Sequence, residues 1–295
     1  MSVIQIEQLT RRFGKKTALN GAKLEVPRGT VFGLMGENGA GKTTLIRHIL
    51  GLYRAQEGKV RVFDMNPVDD PAAVLARIGY LAEERSLPQW MSVTQILAYT
   101  RAFYPSWDQG FALELCDMFE LDLKQKIKSM SKGQNVRVAL VLALAHRPEL
   151  LVLDEPSSGL DPVVRRDILQ AVIRTVADEG RTVLFSSHLL DEVERVADHV
   201  AMIDQGQVIL SDPIDEIQET HHRFVLFLES GANGAVEQLP NLPGVLTCEG
   251  EDRHWTLITQ GPTDEFKRAV AEVGAEVTSQ GALNLDEIFF ARRGA

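Results

Sequence analysis

The chain has 295 residues, 44% hydrophobic and 24% charged, an ordinary balance for a soluble globular protein with one large domain and a small one. A net charge of −10 disfavours broad electrostatic attachment to nucleic acid, and no nucleic-acid partner is expected. No apolar run approaches the roughly 18–20 residues of a bilayer span. The N-terminus lacks the basic start and apolar core of a signal peptide, and Cys116 and Cys248 lie far apart without metal-ligand spacing, as expected of reduced thiols in a cytoplasmic protein.

Ile4 and Ile6, then Ala22, Leu24 and Val26, alternate as half-buried antiparallel strands do. The apolar run Val31-Phe32-Gly33-Leu34-Met35 is a strand leading into Gly36-Glu37-Asn38-Gly39-Ala40-Gly41-Lys42-Thr43-Thr44, and Leu45 and Ile46 continue as a helix. The spacing Gly36-x4-Gly41-Lys42-Thr43 between a strand and a helix is that of a phosphate-cradling loop. Glycines let successive N–H groups turn inward onto phosphate oxygens, and the helix N-terminus adds its positive dipole end. Lys42 is placed to reach the β- and γ-phosphates and the Thr43 hydroxyl to hold Mg²⁺, so the chain is expected to bind a nucleoside triphosphate.

Strands are predicted at Val60-Arg61-Val62-Phe63 and Ile78–Leu81, and from Leu87 to Ser129 apolar residues recur at helical spacing. Continuous apolar runs at Leu150–Leu153, Thr182–Phe185 and Val200–Ile203 read as parallel strands buried on both faces, separated by helices over 163–179 and Leu189–Ala197. The first of these runs ends in Asp154-Glu155. At that strand end Asp154 can enter a Mg²⁺ shell, through water, while Glu155 can polarise an attacking water. Ser131-Lys132-Gly133-Gln134 opens a helix expected over Asn135–His146; Ser131 is a good N-cap residue, and a helix N-terminus with exposed N–H groups is an anion site.

The pattern resets near Thr220. Strands at Phe224–Leu228, Val245–Cys248, Trp255–Ile258 and Ala275–Thr278, with a short helix between Gly231 and Leu239 and a better one over Thr263–Val273 capped by Thr263, give the β-α-β-β-α-β order of a split βαβ, ferredoxin-like domain. The expected organisation is a domain over 1–219, with a helical subdomain at about 87–146, and an accessory domain over 220–295.

With Ser131-Lys132-Gly133-Gln134 in place, residues 2–218 resemble ATP-binding cassette (ABC) proteins. The resemblance implies a P-loop NTPase fold of ABC type: a mixed sheet with antiparallel N-terminal strands and a helical subdomain. Phe13 takes the position of the aromatic residue that stacks on adenine, Glu83 that of the Q-loop residue, Ser158-Gly159-Leu160-Asp161 that of the D-loop and His188 that of the switch histidine. It implies ATP and Mg²⁺ as ligands. In cis, ATP would meet Phe13 and the loop Gly36, Glu37, Asn38, Gly39, Ala40, Gly41, Lys42, Thr43 and Thr44. Thr43, Glu83 and Asp154 would serve the metal, and Glu155 and His188 catalysis. Ser131, Lys132, Gly133, Gln134 and Asp161 would reach the ATP of a second, identical or different ATPase subunit.

Two positions depart from the family pattern. Lys132 stands where a second glycine is usual, either to assist an anion or simply solvated; Glu83 replaces the usual glutamine, and its carboxylate can still hold Mg²⁺ or water but repels free phosphate. Ser158–Pro162, Glu83-Glu84-Arg85 and Asn284–Phe290 resemble subunits of bacterial ABC-2-type exporters. The expected function is therefore an ATPase powering transport, in the export direction, through a separate membrane permease on the cytoplasmic face of the membrane. The alternatives are a non-transport regulator or sensor, or a cassette of DNA repair or translation. Trp90, Met91, Tyr99, Phe103, Tyr104 and Trp107 read first as core, with Trp90 and Met91 the best candidates for a partner surface.

Overall fold

A computed structural model describes residues 1–84, 86–158, 180–228 and 235–294. Asp161 and the helix expected over 163–179 lie outside the described residues. The chain divides into two compact units, Met1–Ser211 and Asp212–Ala295. The division precedes the expected boundary at 219/220.

In the first unit, β1 (Ser2–Phe13) and β2 (Lys16–Pro27) form an antiparallel hairpin. Then come β3 (Val31–Met35), α1 (Lys42–Ile49), β4 (Glu57–Val62), α2 (Pro71–Leu75) and β5 (Ile78–Leu81). The helical segment holds α3 (Val93–Arg101), α4 (Gln109–Met118) and α5 (Lys132–Leu144). The closing elements are β6 (Leu150–Leu153), β7 (Thr182–Ser187), α6 (Leu190–Glu194), β8 (His199–Asp204) and β9 (Gln207–Pro213).

One sheet has the order β2-β1-β4, with Ile4 opposite both Val26 and Val62. The alternation in β1 and β2 turns Ile4, Ile6, Leu24 and Val26 into a core shared with Leu45, Ile46 and Ile49 of α1. The other sheet has the order β5-β6-β7-β3-β8-β9. β6 is buried at every position, as its continuous apolar run requires. Parallel pairing sets Met35 beside Ser187 and Leu153 beside Phe185. The chain therefore leaves β3, β6 and β7 at one edge, the carboxyl ends of the strands, where α/β proteins bind ligands.

The helical segment departs from the aromatic expectation. Val93, Ile96 and Leu97 form the buried stripe of α3, which leaves Tyr99 on the outer face, paired edge-on with exposed Phe103; Trp90 is exposed too. Tyr104 instead stacks on buried His146 at 4.0 Å between ring centroids. The helix expected over Leu189–Ala197 is confined to α6.

The second unit carries α7 (Ile214–Thr220), β10 (His221–Leu228), α8 (Ala235–Gln238), β11 (Val245–Glu251), β12 (His254–Gln260), α9 (Thr263–Glu272), β13 (Ala275–Ala282) and α10 (Leu285–Gly294). Its sheet order is β11-β12-β10-β13 with antiparallel pairings throughout, the arrangement of a split βαβ unit. Phe224, Leu226 and Leu257 pack against Phe266 and Val270 of α9. Pro262, not Thr263, is the N-cap of α9, and no side chain caps that end, since a proline ring carries no acceptor for the first-turn N–H groups.

Candidate active site

At the end of β3 the chain passes Gly36, where a Cβ would lie 2.3 Å from the carbonyl oxygen of Ile203, so only glycine fits. Gly41, at φ 118°, turns the chain into α1 as its N-cap, with the carbonyl oxygen of Ala18 only 2.8 Å from where a Cβ would stand. α1 thus starts at Lys42 with the unpaired N–H groups of its first turn available to an anion. The Lys42 ammonium donates to the carbonyls of Gly36 at 2.5 Å and Glu37 at 3.2 Å. It also lies 3.0 Å from Oε1 of Glu155.

Glu155 and Asp154 arrive on β6. The Asp154 amide donates to the carbonyl of Leu81 at 2.8 Å, which continues the pairing with β5 past the strand end. Oδ1 of Asp154 accepts from the Ser186 hydroxyl at 2.8 Å and lies 3.3 Å from Oγ1 of Thr43. Burial pushes the Asp154 carboxyl above its ordinary pKa, while the hydroxyls of Ser186 and Thr43 pull it back. Ser186 also accepts from the Glu155 amide at 2.9 Å. Glu155 sits at φ 46°, in the left-handed region, and its Oε2 is 2.8 Å from Nδ1 of His188.

Lys42, Thr43 and Glu155 border a cavity of about 360 Å³. Phe13, Glu37, Asn38, Gly39, Gly41, Lys42, Thr43, Thr44, Glu83 and Glu155 line it, together with Lys16 and Ala18, which the sequence reading had not singled out. Gly36, Ala40 and Asp154 are buried behind that lining. Phe13 is backed by Arg11, whose guanidinium carbon is 4.7 Å from the ring centroid and equally far from that of Tyr53. The arrangement offers an aromatic plate at one end, a cationic anion cradle in the middle, and a carboxylate–histidine pair beside it.

Ser131, Lys132, Gly133 and Gln134 do not line this cavity. They begin α5 in a capping box: the Gln134 amide donates to Oγ of Ser131 at 3.2 Å, and the Ser131 amide donates to Oε1 of Gln134 at 2.9 Å. Ser186 is the residue of the site most clearly missed. A serine following the apolar run Val183-Leu184-Phe185 in a fully buried strand was its available signal.

The ABC transporter family profile matches residues 19–158, which contain the cradle, the α5 capping box and Asp154-Glu155. A daunorubicin resistance ATP-binding protein of Streptomyces coeruleorubidus is 34% identical over 98% of this chain and 95% of its own length. The chain belongs to the ATP-binding subunits of ABC transporters. An ABC transporter ATP-binding protein of Bacillus subtilis is 28% identical over 99% of this chain and 98% of its own. A bacitracin transport ATP-binding protein of Bacillus licheniformis is 29% identical over 80% of this chain and 78% of its own. Among solved structures, an ATP-binding subunit of an ABC transporter superposes with TM-score 0.66 at 25% identity, covering 74% of this chain and 92% of that one. An ABC transporter cassette in its ADP conformation gives TM-score 0.63 at 28% identity, covering 73% and 92%. The protein is an ATPase serving transport. No described helix is long and apolar enough to cross a membrane.

Proposed function

We propose that this ABC subunit hydrolyses MgATP in the cavity of the first unit, with Glu155 as general base and His188 orienting it. The convergence of Lys42, Thr43, Asp154, Glu155 and His188 at adjacent strand ends carries the reading. ATP lays its base on Phe13 and its phosphates along the loop 36–44. Glu155 takes the proton of the attacking water as its oxygen bonds to the γ-phosphorus and the β–γ bridge breaks.

Thr43 and Asp154 offer hard oxygen donors 3.3 Å apart, and among the described residues no group of three or more His, Cys, Asp or Glu forms a protein-only metal cage. A pair of protein oxygens supplemented by phosphates and water suits Mg²⁺, so the site fits the ion. Thr43 and Asp154 would hold it, with Glu83 at the cavity wall. Bound there, Mg²⁺ would neutralise charge on the β- and γ-phosphates.

Ser131, Lys132, Gly133 and Gln134 are assigned to the ATP of a second ATPase subunit, as is Asp161, so that ATP joins two subunits and hydrolysis separates them. A separate permease converts that closure into movement of substrate and holds the subunit at the cytoplasmic face of the membrane. The drug-resistance and bacitracin-transport relatives favour export. The second unit serves as an accessory domain that stabilises or regulates the dimer. The test is to purify the complex from its native membrane through a tag on this chain, identify the co-purifying permease, and follow efflux from loaded cells. A complex without a permease, or with ATP-driven uptake only, contradicts the reading.

A further inference from the structure

The hydroxyl of Ser157 donates to Oε2 of Glu192 at 2.9 Å, and the one proton of the Ser187 hydroxyl is shared between the same oxygen and the carbonyl of Leu189, each 3.3 Å away. Ser157 follows Glu155 by two positions, and Ser187 immediately precedes His188. Because Nδ1 of His188 is itself 2.8 Å from Glu155, the contacts close a ring. The ring runs from Glu155 along the chain to Ser157, across to Glu192, on to Ser187, along the chain to His188, and back to Glu155.

The ring's placement makes it consequential. Ser157 and Ser187 are almost wholly buried, so an acceptor removed there is not simply replaced by water. An ionised carboxylate only accepts, and one of its oxygens can take both hydroxyls. Glu155 holds a left-handed backbone conformation, which costs free energy and persists only where the surroundings fix it. Ser187 also accepts from the amide of Leu189 at 3.0 Å, tying the histidine loop to the start of α6, the helix that carries Glu192. A carboxylate serving only the dipole of α6 would not require two serines from different strand ends to meet on one oxygen.

We propose that Glu192 is a positioning residue for ATP hydrolysis, bracing the loop of Glu155 against the loop of His188 through Ser157 and Ser187. Glu192 does not line the nucleotide cavity and acts through these neighbours. The inference rests on the assignment of Glu155 and His188 above.

The experiment compares Glu155→Gln, Glu192→Ala, Glu192→Gln, the double variant Ser157→Ala/Ser187→Ala, and that double variant combined with Glu192→Ala. Each is made in the transporter complex purified through a tag on this chain. Steady-state ATP turnover and the binding of a fluorescent ATP analogue are measured. Glu192→Ala and the double serine variant should each lower kcat by about 10²-fold, the scale of a small misplacement of catalytic groups, with analogue affinity unchanged. Glu192→Gln keeps an acceptor oxygen and should recover most of the rate. The triple variant should be no slower than either parent, because all three substitutions open the same ring. Wild-type kcat in the double serine variant, or losses that multiply in the triple variant, would overturn the proposal even if Glu192→Ala fails to fold. Wild-type turnover in Glu155→Gln overturns the underlying assignment instead. Loss in Glu155→Gln with full turnover in Glu192→Ala overturns the brace alone.

Discussion

Nζ of Lys42 lies 3.0 Å from Oε1 of Glu155, and each side chain is only 5% exposed. With His188 on the other oxygen, both ends of the Glu155 carboxylate are engaged. The lysine that should meet phosphate is thus held by the carboxylate that should activate water. With the roles proposed for Lys42 and Glu155, ATP binding should exchange one contact for the other, so that arrival of ATP releases the base.

Glu155→Gln should therefore do two things. Turnover should fall by roughly 10²–10⁴, the usual worth of a general base. Affinity for ATP should rise, because Lys42 no longer has to leave a buried anion. Lys42→Ala should weaken nucleotide binding and destabilise the free protein by up to about 3–5 kcal/mol, the cost of stranding one member of a buried pair, with His188 softening the loss. Adding Glu155→Gln to Lys42→Ala should restore most of that stability and none of the binding. Urea unfolding and ATP-analogue titration of all four proteins check this; single and double variants of equal stability would remove the coupling.

Asp154 gives a prediction of opposite sign for stability. Burial raises its pKa above the ordinary value, so its charged form costs stability once the pH exceeds the unfolded-state value, and the full cost is present above the folded one. Asn at this position keeps an oxygen to accept from Ser186 and carries no charge. Asp154→Asn should raise nucleotide-free stability near neutral pH by roughly 0.5–2 kcal/mol while hydrolysis is lost, a trade common at active sites. Thermal melts with and without MgATP are the measurement. A destabilised variant would show that the hydrogen bonds outweigh the burial of charge.

His146 sets a pH limit. It is buried against Tyr104, its Nε2 is 3.0 Å from the carbonyl of Ile78, and burial lowers its pKa below 6.5. The unfolded chain then takes up the proton first. Stability is complete above pH 6.5 and is lost as the pH falls through 6.5 toward the lowered folded value. His146→Gln should start less stable but lose less between about pH 7.5 and pH 5.5. Parallel pH dependence of the urea midpoint in the two proteins would assign the acid sensitivity elsewhere.

The legible parts of this protein were those fixed by neighbours along the chain. Gly36 to Thr44 carries its geometry in its own spacing, and Leu150–Leu153 announces a strand buried on both faces. Ser186 and Glu192 were not legible as site residues. They reach Asp154, Glu155 and Ser157 across 31 to 35 positions of sequence, through the pairing of β6 with β7 and the turn into α6. Tyr99 and Phe103 misled because helical spacing says that two residues share a face without saying which face is covered. At α9 the helix begins at Thr263 itself, one residue too early for the threonine to serve as its cap.

Lys132 offers the last test, at the proposed junction between subunits. It is exposed as the first residue of α5, next to Ser131, whose hydroxyl oxygen is engaged in the capping box. A lysine in a first turn opposes the helix dipole, and a nearby triphosphate would reverse that penalty. Within one chain Lys132 does not line the nucleotide cavity, so it can meet ATP only when a second subunit closes on it. Lys132→Glu should then impair ATP-driven dimerisation and leave ATP binding by the single subunit nearly intact. The introduced carboxylate would face the phosphates in a partly dehydrated interface, where repulsion is screened less than in water. On a merely solvated lysine the same change should matter within about ±0.5 kcal/mol. Dimer formation is measured against ATP concentration in a Glu155→Gln background, with and without Lys132→Glu. A large shift at unchanged single-subunit affinity puts Lys132 at the shared ATP, whereas overlapping curves leave it a solvated neighbour of Ser131.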